Sequence, residues 1–173
     1  MDVEKKKTKF KLPPINLRVL LSVVFLLFGV LPIFVYGGIV SRTNFTSRVD
    51  ARKIELQTKC LMLSTKLTRG NFLKNSDNRE VIRSEIDTVA DIYNGRIVII
   101  DKSYTTIEDT FNLATGKINI SPEIIGTFNG NNTNIYNKTK SYILQTMPIY
   151  ENIDNQNIDG VLMFIASTEN LVS

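Results

Sequence analysis

The run VLLSVVFLLFGVLPIFVYGGIV, residues 19–40, carries no ionisable side chain except the phenol of Tyr36. At ~1.5 Å of rise per helical residue it is long enough to cross a hydrocarbon core of ~30 Å. Gly29 and Pro32 would break a helix in water. Spanning helices tolerate both where neighbouring groups satisfy the freed carbonyls, so a helix mildly kinked near Pro32 is expected. A cleaved secretory leader has a shorter apolar region of ~7–15 residues that ends at a small-x-small site, and the length of this run predicts a retained anchor instead. Lys5, Lys6, Lys7, Lys9, Lys11 and Arg18 precede the run, against Asp2 and Glu4. Arg42, Arg48, Arg52 and Lys53 follow it. The excess on the first side predicts a cytoplasmic N-terminus, with residues 41–173 outside the cytoplasm.

The formal net charge of +4 loses its suggestion of nucleic acid once it is located. Residues 1–40 hold six cations and two acids, whereas 41–173 hold fifteen of each. Membrane topology and attraction to the cytoplasmic leaflet explain the excess, and no nucleic-acid partner is expected. Within the outer part, 41–69 has seven cations and two acids, while 70–173 has eight and thirteen, so a basic stalk carries an acidic head. Cys60 is the one cysteine and there is no histidine. An intrachain disulfide, a Cys-based or His-based metal site, Ser-His-Asp and Cys-His catalysis and a phosphoaccepting histidine are all excluded from this sequence.

Periodicity divides the chain into a basic tail at 1–15, a transmembrane helix at 16–40, a stalk helix at 41–70 and a head at 71–173. The stalk has no proline and keeps its glycine for the end, Gly70. Val49, Leu56 and Leu63 recur every seventh residue, as do Cys60 and Leu67, which makes one apolar seam. Cys60, Leu63 and Leu67 are expected to pack on the head. Phe45, Val49 and Leu56 have two readings, the same core or a homodimer contact. NSDNREVIRSEIDTVADIYNG then offers Ser76 or Asp77 as a helix start, with Glu80 placed for a capping box from Asp77, and Asn94 with Gly95 as its close. RIVIID and TTIEDT read as strands around the turn KSY, and SPEIIGTFNG as one or two helical turns from Pro122 to Gly130. TNIYNKTKSYILQTMPIY supplies two strands around 138–140, ENIDNQNID a polar connection, and GVLMFIAST a final strand. The order predicts one α+β domain of about five strands flanked by helices above the stalk.

Asp101, Glu108 and Asp109 invite a reading as general acid and base or as cation ligands. Alternation along a strand points Glu108 and Asp109 to opposite faces, and Asp101 is better placed to open its turn by bonding local backbone, so a structural role is expected. Asn155, Asn157, Asp159 and Gly160 copy the start of an EF-hand loop, but the twelfth position is Ala166 where a bidentate Glu is needed. No catalytic residue, metal site or cofactor is therefore predicted. Tyr93, Arg96, Tyr104, Tyr142 and Gln145 are the candidate ligand-binding residues, as aromatic walls and polar tips near the sheet. Structural alternatives stand beside them: tyrosines at the rim of a core, and Arg96 paired with Asp91 or Asp109. Sequons occur at Asn44, Asn119, Asn131 and Asn137, in an Asn-rich composition where chance matches are expected.

A span, a helix leaving the membrane, a second helix and then RIVIIDKSYTTIEDT, SPEIIGTFNG, YILQTMPIY and DGVLMFIAST together resemble the extracytoplasmic PAS-like sensors, of the single Cache or PDC type, of bacterial histidine kinases. The likeness covers roughly 41–173. It implies a central antiparallel sheet, a homodimer, a small-molecule or protein signal outside the cell, and a second span just past STENLVS that leads to kinase domains. It implies no catalytic residue within this sequence, and the family's ligand-binding aromatic and basic groups do not map onto it as a full set. The function expected is the sensory part of a membrane receptor, most simply a two-component histidine kinase. A membrane-tethered scaffold or partner-binding module, or the sensor of a chemoreceptor or cyclase, are the alternatives.

Overall fold

A computed structural model describes residues 16–75, 79–154 and 157–169, with the backbone alone at 38–45. The Ser76 and Asp77 cap, the Phe45 contact, the Asn44 sequon and Asn155 of the EF-hand-like loop lie outside the described residues. Helix α1 runs Leu17–Arg69 and passes through Pro32. Its segment Leu17–Gly37 is apolar and long enough to cross a membrane. The chain divides into two compact units after Asn44.

In the second unit α1 stops at Arg69, before Gly70, and α2 follows at Arg79–Ile92. Strands β1 (Gly95–Asp101) and β2 (Thr106–Asp109), the short helix α3 (Pro122–Phe128), then β3 (Asn134–Asn137), β4 (Tyr142–Tyr150) and β5 (Ile158–Ser167) complete it. These strands form one sheet in the order β2-β1-β5-β4-β3, and every neighbouring pair is antiparallel. This is the α+β arrangement that the sequence patterns predict.

The central strands are covered on both faces, which is why RIVII and VLMFIA read as unbroken apolar runs instead of alternating ones. Ile97, Ile99, Ile143, Met147, Leu162 and Phe164 face α1 and α2, where they meet Val49, Leu56, Cys60, Leu63, Leu67, Phe72 and Ile86. Val98, Ile100, Leu144, Val161 and Met163 face the other way, under Ile124 and Phe128 of α3. Each such side chain contributes roughly 1.5–3 kcal/mol when fully buried. The apolar seam of α1, Val49 and Leu56 included, thus packs on the head of its own chain. Cys60 lies within it at 0% exposure, and burial pushes its thiol well above the ordinary cysteine range.

Gly95 shows why the helix α2 must close on this residue. A Cβ there would lie 2.6 Å from Phe164 Cε2 and 2.7 Å from the Ile165 carbonyl oxygen, so only glycine lets β1 start flush against β5.

Candidate functional site

At the end of the sheet where β1 begins and β5 finishes, α2 brings Tyr93 against α1. The Tyr93 hydroxyl donates to Glu55 Oε1 at 2.7 Å, and Arg52 stacks its guanidinium 4.2 Å from the ring centroid while Nη1 donates to Glu55 Oε2 at 3.1 Å. The ring meets Phe164 edge-on at 5.9 Å. Burial, followed by the carboxylate of Glu55, pushes the Tyr93 phenol up to about 12, and the phenol's bond holds the Glu55 carboxyl below its usual range. One residue on, the Asn94 carbonyl accepts from Ser167 N at 3.2 Å, and the Ser141 carbonyl accepts from Thr168 N at 2.8 Å. The segment where α1 enters the head and the segment where β5 leaves it are therefore joined through Tyr93 and Asn94.

Asp109 organises the neighbouring edge. Its carboxylate, 0% exposed, accepts from Arg96 Nε and Nη2 at 2.8 and 2.7 Å, and from the amides of Phe111, Leu113 and Ala114 at 3.1, 2.8 and 2.8 Å. Burial pushes this carboxyl up, but the bonds from Arg96, Ala114 and Phe111 and the Arg96 charge outweigh it and hold the group at about 2. Arg83 of α2 binds Glu108 on the opposite face of β2. The two acids thus serve two separate arginines, and Asp101 Oδ1 accepts from the amides of Ser103 and Thr105 at 2.9 and 2.8 Å to close its turn. The acidic trio is structural. Among the described residues no group of three metal-ligating side chains forms.

The turn after Asp101 holds Tyr104 at φ 60°, a conformation rare for an aromatic residue, and sets its ring edge-on to Phe128 of α3 at 5.2 Å. Thr127 Oγ1 donates to the Glu123 carbonyl and lies 2.6 Å from Thr146 Oγ1, which accepts from Thr133 N at 2.7 Å. These bonds pin α3 to β4 over an apolar layer.

The five candidate ligand-binding residues divide between the two faces of the sheet. Tyr93 faces α1; Gln145, 1% exposed and opposite Phe164 and Asn134, faces the same way by strand alternation, and its Oε1 has no hydrogen-bond partner. Arg96, Tyr104 and Tyr142 lie on the α3 face. Arg96 and Tyr142 share a cleft of about 290 Å³ with Asn94, Gly95, Phe111, Lys140, Ser141, Ile165 and Ser167. Sequence reasoning read Asn94 as the close of α2 and Lys140 as part of a turn, and gave neither these nor Ser141 a place in a ligand site. Asn94 and Ser141, at φ 45° and 49°, mark tight turns, and both turns open into this cleft. A second cleft of about 230 Å³ lies between Leu61 and Thr65 of α1 and Met147, Pro148, Tyr150 and Ile153.

No protein-family model and no curated protein matches the sequence. Among solved structures, the sensor domain of the V. cholerae histidine kinase DctB matches 81% of the chain at 14% identity with a TM-score of 0.63. The chain spans 58% of that DctB chain. The E. coli DcuS sensor domain matches 69% of this chain and 93% of its own, at 16% identity and a TM-score of 0.49. The chain shares the α+β fold of the DctB sensor domain, a five-stranded antiparallel sheet flanked by helices.

Proposed function

We propose that this chain is the sensory part of a membrane receptor of the two-component histidine-kinase kind. In this reading 1–15 is a cytoplasmic tail, 16–40 the span, 41–70 the stalk helix and 71–173 the sensor domain outside the cytoplasm. The observation that carries it is the connection through Tyr93 and Asn94 between the entry of α1 and the exit of β5. A change of packing under the sheet moves one of these segments against the other, and displacements of ~1–2 Å between helices are enough for switching. The fold likeness to DctB supports the same role.

A homodimer fits the outward face of α1. Ala51, Ile54, Thr58, Leu61 and Thr65 recur at spacings of three and four, carry no charge, and leave Ile54 66% and Leu61 56% exposed. Val49 and Leu56 already serve the core, so the paired face is the neighbouring one.

The test is crosslinking between single cysteines placed along 45–56 of the full-length receptor in membranes, with and without activation of its output. The reading expects the crosslinking pattern to change with activation, and a pattern that stays the same under every activating condition defeats it. One observation favours the second reading, a partner-binding module: the loop that Asp109 fixes exposes Phe111, Leu113 and Ile118 at 55%, 60% and 69%. Serine at Leu113 and Ile118 would then abolish partner capture without touching the crosslinking response.

A further inference from the structure

We propose that the cleft around Arg96, Lys140 and Tyr142 is a binding site for a phosphate-type anion carrying an apolar body. This inference names a ligand class for the sensor reading and rests on that reading only for its signalling consequence. The lining contains no aspartate or glutamate; Asp109 behind it offsets the charge of Arg96, and the ammonium of Lys140 is the charge that draws an anion to the mouth. Lys140 is exposed and makes no ion pair among the described residues, and its position is fixed: its amide donates to Asn137 Oδ1 at 3.0 Å, while the next carbonyl, that of Ser141, accepts from Thr168 N. Phe111, Tyr142 and Ile165 supply the apolar part of the lining.

The arrangement of donors selects the anion. A planar carboxylate binds best to the two-pronged fork of a guanidinium, and Asp109 already fills that fork from Nε and Nη2 of Arg96. What remains are single donors on separate elements: Arg96 Nη1 on β1, the Lys140 ammonium and Ser141 hydroxyl on the turn before β4, and the Ser167 hydroxyl at the end of β5. Single donors spread over β1, the turn before β4 and the end of β5 suit the tetrahedrally spread oxygens of a phosphate better than the two coplanar oxygens of a carboxylate. Ser167 Oγ accepts from the Glu169 amide at 3.3 Å, which leaves its proton to donate. An occupant would tie the starts of β1 and β4 to the last residue of β5, the segment through which the signal leaves the head. The phosphate has two possible sources, a soluble phosphate ester or the headgroup of an anionic lipid, and the chemistry is the same for both.

The full chain is titrated in non-ionic detergent with inorganic phosphate, phenyl phosphate and succinate, with the amide resonances of Lys140, Ser141 and Ser167 as the readout. Saturable shifts are expected for phosphate with a dissociation constant on the order of 1 mM. Phenyl phosphate binds more tightly through the aromatic walls, succinate more weakly, and Lys140→Glu weakens phosphate binding by up to about fivefold, as expected for losing one exposed charge contact. Because Lys140 has no packing role, the variant keeps its circular dichroism; Ser167→Ala, which removes one donor and no charge, is the second variant and weakens binding less. In the lipid arm, nanodiscs of phosphatidylglycerol are compared with nanodiscs of phosphatidylcholine. Shifts at the same amides in the anionic discs assign the site to lipid, and shifts only with soluble phosphates assign it to a free ester. Succinate binding as tightly as phosphate, affinity unchanged in Lys140→Glu, or no saturable shift in either arm overturns the proposal. A crosslinking response that persists alongside such a result would leave the sensor reading standing and remove only this site.

Discussion

Asp109→Asn tests the organisation of the β1–β2 edge. The substitution keeps the shape of the side chain, removes its charge, and turns one of two accepting oxygens into a donor facing either Arg96 Nε and the Phe111 amide or Arg96 Nη2 and the Leu113 and Ala114 amides. At least two of the five bonds are lost, and Arg96, only 23% exposed, keeps its charge without a counterion. Breaking a buried pair by removing one partner destabilises by ~3–5 kcal/mol, and the residual exposure of Arg96 argues for the lower end, ~3 kcal/mol. For a unit of this size that lowers the melting temperature by ~10 °C, measurable by near-ultraviolet circular dichroism of the full chain in detergent. Acid removes the difference. The folded carboxyl sits at about 2, below the ordinary value of 3.8, so its contribution is fully present above ~pH 4 and is lost as the pH falls through 2. The two melting curves should converge between pH 4 and pH 2. A variant that melts within ~2 °C of the parent at pH 7, or a gap unchanged at pH 2, refutes this account of the edge.

Gly95→Ala forces a Cβ into the Ile165 carbonyl and the Phe164 ring, and a loss of ~2–3 kcal/mol is expected in urea unfolding. Tyr93→Phe removes the bond to Glu55; the expected loss is ~0.5–1 kcal/mol, and the Glu55 carboxyl, released from its main stabilising bond, titrates at higher pH by carboxyl-carbon NMR. Glutamate at both Ile54 and Leu61 should convert a dimer to a monomer in sedimentation while the melting temperature of the head holds, since neither side chain enters the core.

Elements whose burial has one simple cause could be read from the residues. RIVII and GVLMFIAS announce central strands because both faces are covered, and Gly70 and Pro122 mark helix ends by backbone chemistry alone. Partners chosen by register were less legible. Asp91 and Asp109 were equal candidates for Arg96 until pairing placed Val98 opposite Asp109 and brought the carboxylate alongside. The bond from Tyr93 to Glu55 crosses 38 residues of sequence and depends on where α2 lands on α1, which no local pattern encodes. The stalk seam was visible as a heptad, but sequence period does not say whether a face meets its own chain or another. The neighbouring stripe at Ile54 and Leu61 shows the same period with the opposite exposure. Lys140 was legible as a turn residue but not, with Ser141, as the lining of a cleft, because a turn residue acquires a role only from the strands that meet it.

The one thiol in the sequence gives the head its own clock. Cys60 lies on the sheet-facing side of α1 with its proton held by burial, so a thiol-directed reagent has neither access nor nucleophile while the helix stays docked. Cysteines introduced on the surface react at once against that silent background, and no native residue has to be replaced first. The slow modification of Cys60 that follows counts the moments when α1 lifts from the sheet. A stimulus that slides the helix leaves that rate alone, and one that undocks it accelerates labelling, so a single reagent separates the two kinds of motion.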